Sequence, residues 1–306
     1  MKKHPSKSHQ KILHAYQQNL HQVVGLAPNT CQDRVRDARR FLEAVHVRRV
    51  GDLAELTPVD LVRYLTARST DYVPASLRKI ASAVRDFLRF AQQRGWLHQP
   101  LELAVPKIAC GPHNDLPFYL SGPQLAALLA SWDGGTAEGR RDRAIGLCLA
   151  RLGLRAGEAA GLLLEDIHWR QATLRLSQSK NGSQAQLPLL PEVGQALADY
   201  LSAGRPACAH RQVFLFDHPA RPMHAKAISQ VIRRALRRCG IAAPRPGAHL
   251  LRHTLASHLV QSGASLKAVA DLLRHRDLNS ASVYAHVDLP NLRLLAQPWP
   301  KEEVTL

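Results

Sequence analysis

The chain has 306 residues, 45% of them hydrophobic and 21% charged, a composition that excludes a disordered chain and favours two folded domains. No apolar stretch approaches the roughly 18 residues that span a bilayer, and the cysteines form no close pair, so a membrane protein, a disulfide framework and a CxxC metal site are not expected. The 41 Lys and Arg against 24 Asp and Glu give a net charge of +17, which indicates a polyanionic partner, most often nucleic acid.

Four segments of the first hundred residues repeat apolar side chains at helical spacing. Pro28 opens the second segment, Thr57-Pro58 resembles an N-cap for the third, and Gly95 closes the fourth. Four helices joined by short loops predict a small bundle over residues 1–99. Its polar faces carry candidate phosphate contacts, for which a merely solvated surface is the ordinary alternative: Arg36, Arg39, Arg40, Arg78 and Lys79.

Prolines and glycines interrupt the helical pattern over residues 100–122, which predicts an interdomain linker. Ser121 and Gln124 resemble a capping box that starts the second domain, residues 123–306. This domain is expected to be mainly helical, with two short strands joined by a hairpin turn at Asn181-Gly182. The predicted fold is therefore mainly α with a small antiparallel β-sheet: a helical N-terminal bundle and an α+β domain.

The sequence lacks the groups that several kinds of phosphate chemistry need. Asp and Glu are sparse and scattered, which does not favour a metal-dependent nuclease, and no GxxxxGK[ST] motif is present to hold a nucleoside triphosphate. His253 and His258 lack the glutamate of a zinc-hydrolase helix. We therefore expect no metal and no cofactor, and any phosphate chemistry would depend on side-chain cations and hydrogen-bond donors.

Such groups occur mainly in one C-terminal segment. His249 and Arg252 lie three residues apart and so share one face of a predicted helix, whereas leucines at 250, 251, 255 and 259 supply its buried side. The remaining candidates are Arg155 within residues 152–158, Lys180 on the hairpin turn, His275 after Leu272-Leu273-Arg274, and Tyr284 followed by Ala285-His286.

In order and spacing these motifs resemble the tyrosine recombinases of the phage integrase family, in particular its two-domain, Xer-like members. Residues 249–256 match the family's His-x-x-Arg box, residues 272–275 its Leu-Leu-Gly-His box, and residues 284–286 its Tyr-x-His. Residues 152–158 resemble the box of the first catalytic arginine, and residues 179–182 resemble the hairpin of the catalytic lysine.

The sequence departs from the family pattern in two ways. Arg274 stands where the family usually has glycine. The hairpin lacks the basic residues that often follow the family's lysine, since Ser183 and Ala185 occupy those positions.

The resemblance implies a site-specific DNA recombinase that cuts and rejoins strands through a covalent 3′-phosphotyrosine intermediate. It implies a SAM-like, core-binding N-terminal domain, double-stranded DNA as partner, a homo-tetramer on paired sites and no small-molecule substrate. The expected cytoplasmic location follows instead from the cysteine usage, which fits a reducing compartment. The resemblance implies six catalytic side chains: the nucleophile Tyr284, the phosphate-binding Arg155, Arg252 and His275, the proton acceptor His249 and the proton donor Lys180. A basic helix is a further candidate DNA contact, with a merely solvated surface as the alternative, through Arg233, Arg234, Arg237 and Arg238.

Two other functions stay open at this stage. A type IB topoisomerase-like enzyme would share the cluster but nick and close DNA without exchanging partners, and an inactive regulator would only bind DNA. Each motif also has an ordinary structural interpretation; Arg155, for example, is placed to pair with Glu158. The order and spacing of five motifs in one chain favours the recombinase.

Overall fold

A computed structural model describes residues 7–109, 118–176 and 185–274 together with Tyr284. Within it the chain divides into two compact units, Met1–His113 and Asn114–Leu306. Lys180, His275 and the Asn181-Gly182 turn lie outside the described residues.

The first unit contains the four predicted helices, and proline occupies the first position in three of them. Proline suits that position because its fixed φ is already helical and no hydrogen-bond donor is lost there. Thr57 is the N-cap residue of the third helix, as predicted, and it donates its backbone N–H to Asp60 Oδ2 over 3.0 Å. The helices are α1 (Lys7–Gln18), α2 (Pro28–Ala44), α3 (Pro58–Ser69) and α4 (Pro74–Gln93).

Aromatic side chains fill the core of this unit. Tyr16 meets Phe87 edge to face with ring centroids 5.3 Å apart, a favourable arrangement for two aromatic quadrupoles. Residues Leu101–Ala104, within the predicted linker, form a 3₁₀ helix, and Leu101 and Val105 are buried in the same core.

The second unit is mainly helical with two small antiparallel sheets. Its helices are α5 (Gly122–Ala130), α6 (Ala137–Arg151), α7 (Ala156–Gly161), α8 (Pro191–Ala203), α9 (Ala225–Arg238), α10 (Ala248–Gln261) and α11 (Leu266–Leu272). The strands are β1 (Ile167–His168), β2 (Thr173–Leu176), β3 (Ala185–Pro188), β4 (Leu215–Phe216) and β5 (Arg221–Pro222). The first sheet has the order β1-β2-β3, and Thr173 pairs with Pro188 across its β2–β3 ladder.

The predicted fold class is confirmed, with one difference. The sequence predicts helix throughout after Pro191, but β4 and β5 form a two-stranded sheet in that region. Strands of two residues are too short to show the alternation of apolar and polar side chains that reveals a longer strand.

Helix α10 is fixed at its centre by the segment that enters the second unit. Leu120 donates its backbone N–H to Thr254 Oγ1 over 3.0 Å, and its carbonyl lies 2.9 Å from His258 Nε2. Towards the C-terminal end of α10, Val260 belongs to a small apolar cluster with Val269 and Leu273. These contacts set the position of the helix that carries His249 and Arg252.

Candidate active site

Arg252 is the structural centre of the site. Although charged, it is only 1% exposed, and its two Nη atoms donate hydrogen bonds to the carbonyls of Gly153 and Leu273. Gly153 follows α6 and Leu273 follows α11. One guanidinium therefore joins three elements of the second unit.

Gly153 permits this arrangement because it has no side chain. Its φ is +59°, and a Cβ built there would lie 2.7 Å from Leu273 Cδ2 and 3.1 Å from Leu255 Cδ2. A larger residue would be strained in this left-handed conformation, and the tip of the Leu273 side chain would have to shift.

Arg155 caps α7 and binds Glu158 twice. Its Nη1 donates to Glu158 Oε1 over 2.7 Å, and its backbone N–H donates to Glu158 Oε2 over 2.9 Å. Its Nη2 donates to the carbonyl of Arg274 over 3.1 Å. The pairing with Glu158 that the sequence suggested is thus present, yet the Arg155 side chain stays 26% exposed and part of it remains open to solvent.

Glu158 is shared by two arginines. Its side chain is 2% exposed, and Arg274 Nη2 donates to its Oε2 over 2.9 Å. Burial opposes ionisation of this carboxyl, but hydrogen bonds from Arg155 and the charges of Arg274 and Arg155 outweigh burial and hold its pKa below the usual range. Glu158 therefore stays charged.

Tyr284 lies against α10. It is 2% exposed, and its Oη is 2.8 Å from His253 Nδ1. Burial raises the pKa of Tyr284 to about 12, and the charge of Arg252 opposes that rise only in part. The phenol is therefore protonated at neutral pH, and a base must take its proton before the oxygen can act as a strong nucleophile.

His249 is suited to accept a proton. Its ring meets that of His253 edge to face with centroids 4.3 Å apart. His249 is an exposed residue, but desolvation by the surrounding protein, followed by the charges of Arg252 and Arg155, lowers its pKa. The imidazole is therefore neutral at pH 7, the form that a proton acceptor needs.

The cations that the sequence suggested as DNA contacts differ in their surroundings. Arg36 pairs with Asp33 over 2.7 Å and with Asp37 over 3.3 Å, which leaves it less available to a phosphate. The other four in the first unit are exposed and make no ion pair with the described residues: Arg39, Arg40, Arg78 and Lys79.

The basic stripe on α9 is partly committed to other contacts. Arg234 pairs with Glu138 over 3.3 Å. Arg233 donates to the carbonyl of Pro246 over 3.0 Å, and Arg238 donates to Ser131 Oγ over 3.1 Å. Arg237 is exposed and has no hydrogen-bond or ion-pair partner among the residues that the structure describes.

Within the described ranges, no three His, Cys, Asp or Glu side chains are grouped as a metal site would require. In the same ranges no helix has the length and apolar character to cross a membrane.

Comparison with known proteins establishes the family. Residues 119–289 match the model of the phage integrase family, and residues 13–95 match that of the phage integrase N-terminal SAM-like domain. The chain belongs to the phage integrase family. Its predicted identification as a tyrosine recombinase, an enzyme of DNA strand exchange, is thereby confirmed, and the topoisomerase-like and regulatory alternatives are not favoured.

Relatives of this recombinase extend over nearly its whole length. A Sinorhizobium fredii protein named as an integrase/recombinase, y4rA, is 37% identical over 94% of this chain and 70% of its own. The tyrosine recombinase XerC of Pelobacter propionicus is 31% identical over 92% of both chains. The lambda integrase dimer bound to a COC' core site and the lambda integrase tetramer bound to a Holliday junction share the fold, each with a TM-score of 0.69 over 97% of this chain, at 19% and 18% identity. The matched regions span 99% of the chain in the dimer structure and 80% of the chain in the tetramer structure.

Four of the six predicted catalytic residues are described, and contacts connect them. Arg252 and Arg155 donate to the consecutive carbonyls of Leu273 and Arg274. The Tyr284 hydroxyl is hydrogen-bonded to His253, the residue after Arg252. The roles of Glu158 in bridging two arginines and of His253 in holding the phenol were not predicted. Glu158 was visible only as a neighbour of Arg155, and His253 only as a residue inside the His-x-x-Arg segment.

Proposed function

We propose that the recombinase cleaves DNA by attack of Tyr284 Oη on a backbone phosphorus. The bond from phosphorus to the 5′ oxygen breaks, a 3′-phosphotyrosine forms, and a 5′-hydroxyl leaves. Attack by a 5′-hydroxyl of another strand on the phosphotyrosine then reverses the step and restores a diester. The observation that carries this proposal is the hydrogen bond of Tyr284 to α10, the helix that also holds Arg252, within one chain.

Charge and proton movements are assigned to side chains alone. Arg155 and Arg252 stabilise the negative charge that grows on the non-bridging oxygens in the transition state. His249 accepts the phenolic proton, which its lowered pKa supports. His275 adds a hydrogen bond to the phosphate, and Lys180 protonates the leaving 5′ oxygen; both assignments follow the family motifs.

The proposal extends to the DNA and the assembly. Residues 1–99, 100–122 and 123–306 would act as a core-binding domain, a linker and a catalytic domain, and both domains would contact one duplex in the cytoplasm. Exposed cations support this, with Arg39 and Arg40 in the first domain and Arg237 in the second. Four protomers would assemble on two sites, as the lambda integrase tetramer does on a Holliday junction.

The test is covalent trapping of the enzyme on DNA. Wild-type protein is expected to form an adduct that survives denaturing electrophoresis, and Tyr284→Phe to form none while binding DNA with nearly unchanged affinity. Tyr119→Phe is a matched control, because it removes a hydroxyl that only accepts a bond from Gln261 in the described structure. Adducts that persist in Tyr284→Phe would refute the assignment.

A two-site assay separates strand exchange from nicking and closing. Recombinant products from two sites support the proposal. Relaxation of supercoiled DNA by wild-type enzyme with no recombinant product would overturn it in favour of topoisomerase-like activity.

A further inference from the structure

Arg274 stands where the family usually has glycine, and its side chain enters the site. The guanidinium is 11% exposed. It donates to Glu158 Oε2 over 2.9 Å, to the carbonyl of Leu272 over 3.1 Å and to that of Gly153 over 3.4 Å. An arginine on a surface turn would ordinarily point to water, so these contacts require a specific explanation.

The backbone of the same turn supports both phosphate-binding arginines. The carbonyl of Leu273 accepts from Arg252, and the carbonyl of Arg274 accepts from Arg155. A shift of this turn would therefore move the acceptors of both guanidinium groups at once. The catalytic geometry depends on the turn being rigid.

Arg274 holds the turn in a conformation that a side chain disfavours. Its φ is +55°, in the left-handed region that glycine adopts without strain. The ion pair with Glu158 and the bonds to two carbonyls are the contacts that oppose this strain. Glu158 in turn binds Arg155, so the Arg274 side chain is linked to the catalytic arginine by one buried carboxylate.

We propose that Arg274 is a positioning residue that fixes the turn after α11 and, through Glu158, the orientation of Arg155. A glycine at this position would only permit the turn, whereas the Arg274 side chain also ties the turn to α7 through Glu158. The inference rests on the proposed function, because it concerns the same transesterification. It differs from a direct role on the phosphate, which would appear as a loss of DNA affinity rather than as a loss of the cleavage rate.

The first test is Arg274→Gly, because glycine adopts the left-handed backbone conformation without strain but lacks the side chain that binds Glu158. The measurement is the single-turnover rate constant of adduct formation at saturating protein, together with the protein concentration at half-saturation. We expect the rate constant to fall about 10- to 100-fold, the cost of small misplacements in an active site, while half-saturation changes less than about threefold. Arg274→Lys keeps the charge and one bond to Glu158, so it should recover part of the rate.

Two controls give each result a meaning. Arg211→Gln breaks an exposed ion pair with Glu165 in the same unit and should leave the rate constant unchanged. If Arg274→Gly does not fold, Arg274→Lys must still be slower than wild type, because a single ammonium cannot reproduce the three-way contact.

An unchanged rate constant in Arg274→Gly would overturn the inference. A loss confined to DNA affinity, with a smaller salt dependence, would also overturn it and assign Arg274 to the DNA. If wild-type protein forms no adduct, the proposed function itself fails, and this outcome is distinct from a failure of the Arg274 inference alone.

Discussion

A buried guanidinium is stable only when its N–H groups find acceptors, and Arg252 finds them in main-chain carbonyls rather than in a carboxylate. Burial, followed by the charges of Arg155 and Arg274, lowers the pKa of Arg252 to about 10, so it keeps its proton at neutral pH. Its hydrogen-bond acceptors among the described residues are neutral carbonyls, so no carboxylate pairs with it directly. We therefore expect a phosphate that enters the site to meet a cation that is already oriented.

The proton acceptor leads to a prediction about pH. The pKa of His249 lies below the ordinary 6.5, so the ring is neutral at pH 7 and charges only as the pH falls through that lowered value. We expect the single-turnover rate constant to be level near neutrality and to fall on the acid side with a midpoint below 6.5. His249→Gln should remove this acid limb and slow cleavage by about 10²- to 10⁴-fold.

His210→Gln provides the control for that profile, because His210 is an exposed histidine of the same unit. Its pH profile should match that of the wild-type enzyme. A wild-type midpoint at or above the ordinary histidine value, or an acid limb retained in His249→Gln, would contradict the role of His249 as acceptor.

At the residue scale, the spacing of the motifs predicts which side chains are candidates for reactive groups, but it does not predict what surrounds them. Arg155, His249, Arg252 and Tyr284 stand in motifs whose spacing is fixed, so a resemblance could identify them. The bond between Arg274 and Glu158 joins residues 116 positions apart, and no periodicity or local spacing reports a contact at that separation.

At the scale of elements, α10 is held by a polar clamp as well as by apolar packing. Thr254 is fully buried; its Oγ1 accepts from Leu120 and donates to the carbonyl of Leu250 over 2.9 Å. His258, one turn later, bonds to the carbonyl of Leu120. Both backbone polar groups of the buried residue Leu120 are thus satisfied by side chains four residues apart, which fixes where the chain enters the second unit.

Thr254→Val tests the clamp, because valine keeps the shape and removes the hydroxyl. The N–H of Leu120 is then buried without an acceptor, which costs about 1–3 kcal/mol of unfolding free energy. Urea denaturation followed by circular dichroism measures the change. Ser202→Ala removes an exposed hydroxyl that bonds to the carbonyl of Asp199, and this control should change stability by less than about 0.5 kcal/mol. Equal losses in the two variants would argue against the clamp.

Helix starts could be predicted from sequence where residues adjacent in the chain determine them. Proline at the first position of α2, α3 and α4 and the capping box of Ser121 and Gln124 act within one turn of helix. The strands β1, β4 and β5 have two residues each, and long-range pairing rather than local preference determines them.

At the scale of the molecule, the positive charge is spread over both parts of the chain. Residues 1–106 hold 17 cations and 9 anions, and residues 107–306 hold 24 and 15, which gives +8 and +9. An enzyme with a single basic tail would show a different distribution. Such a balance is expected if both domains neutralise phosphates of the same duplex.

This distribution predicts a steep salt dependence of DNA binding to which both domains contribute. The logarithm of the binding constant should fall linearly with the logarithm of salt concentration, with a slope of about −0.9 for each phosphate neutralised. Arg39→Gln with Arg40→Gln in the first domain should make the slope shallower by about two, and Arg237→Gln in the second by about one. Arg211→Gln, whose partner is Glu165, should leave the slope unchanged. A nearly flat slope in the wild-type enzyme, or slopes that respond to substitutions in one domain only, would show that the two domains do not hold the DNA together.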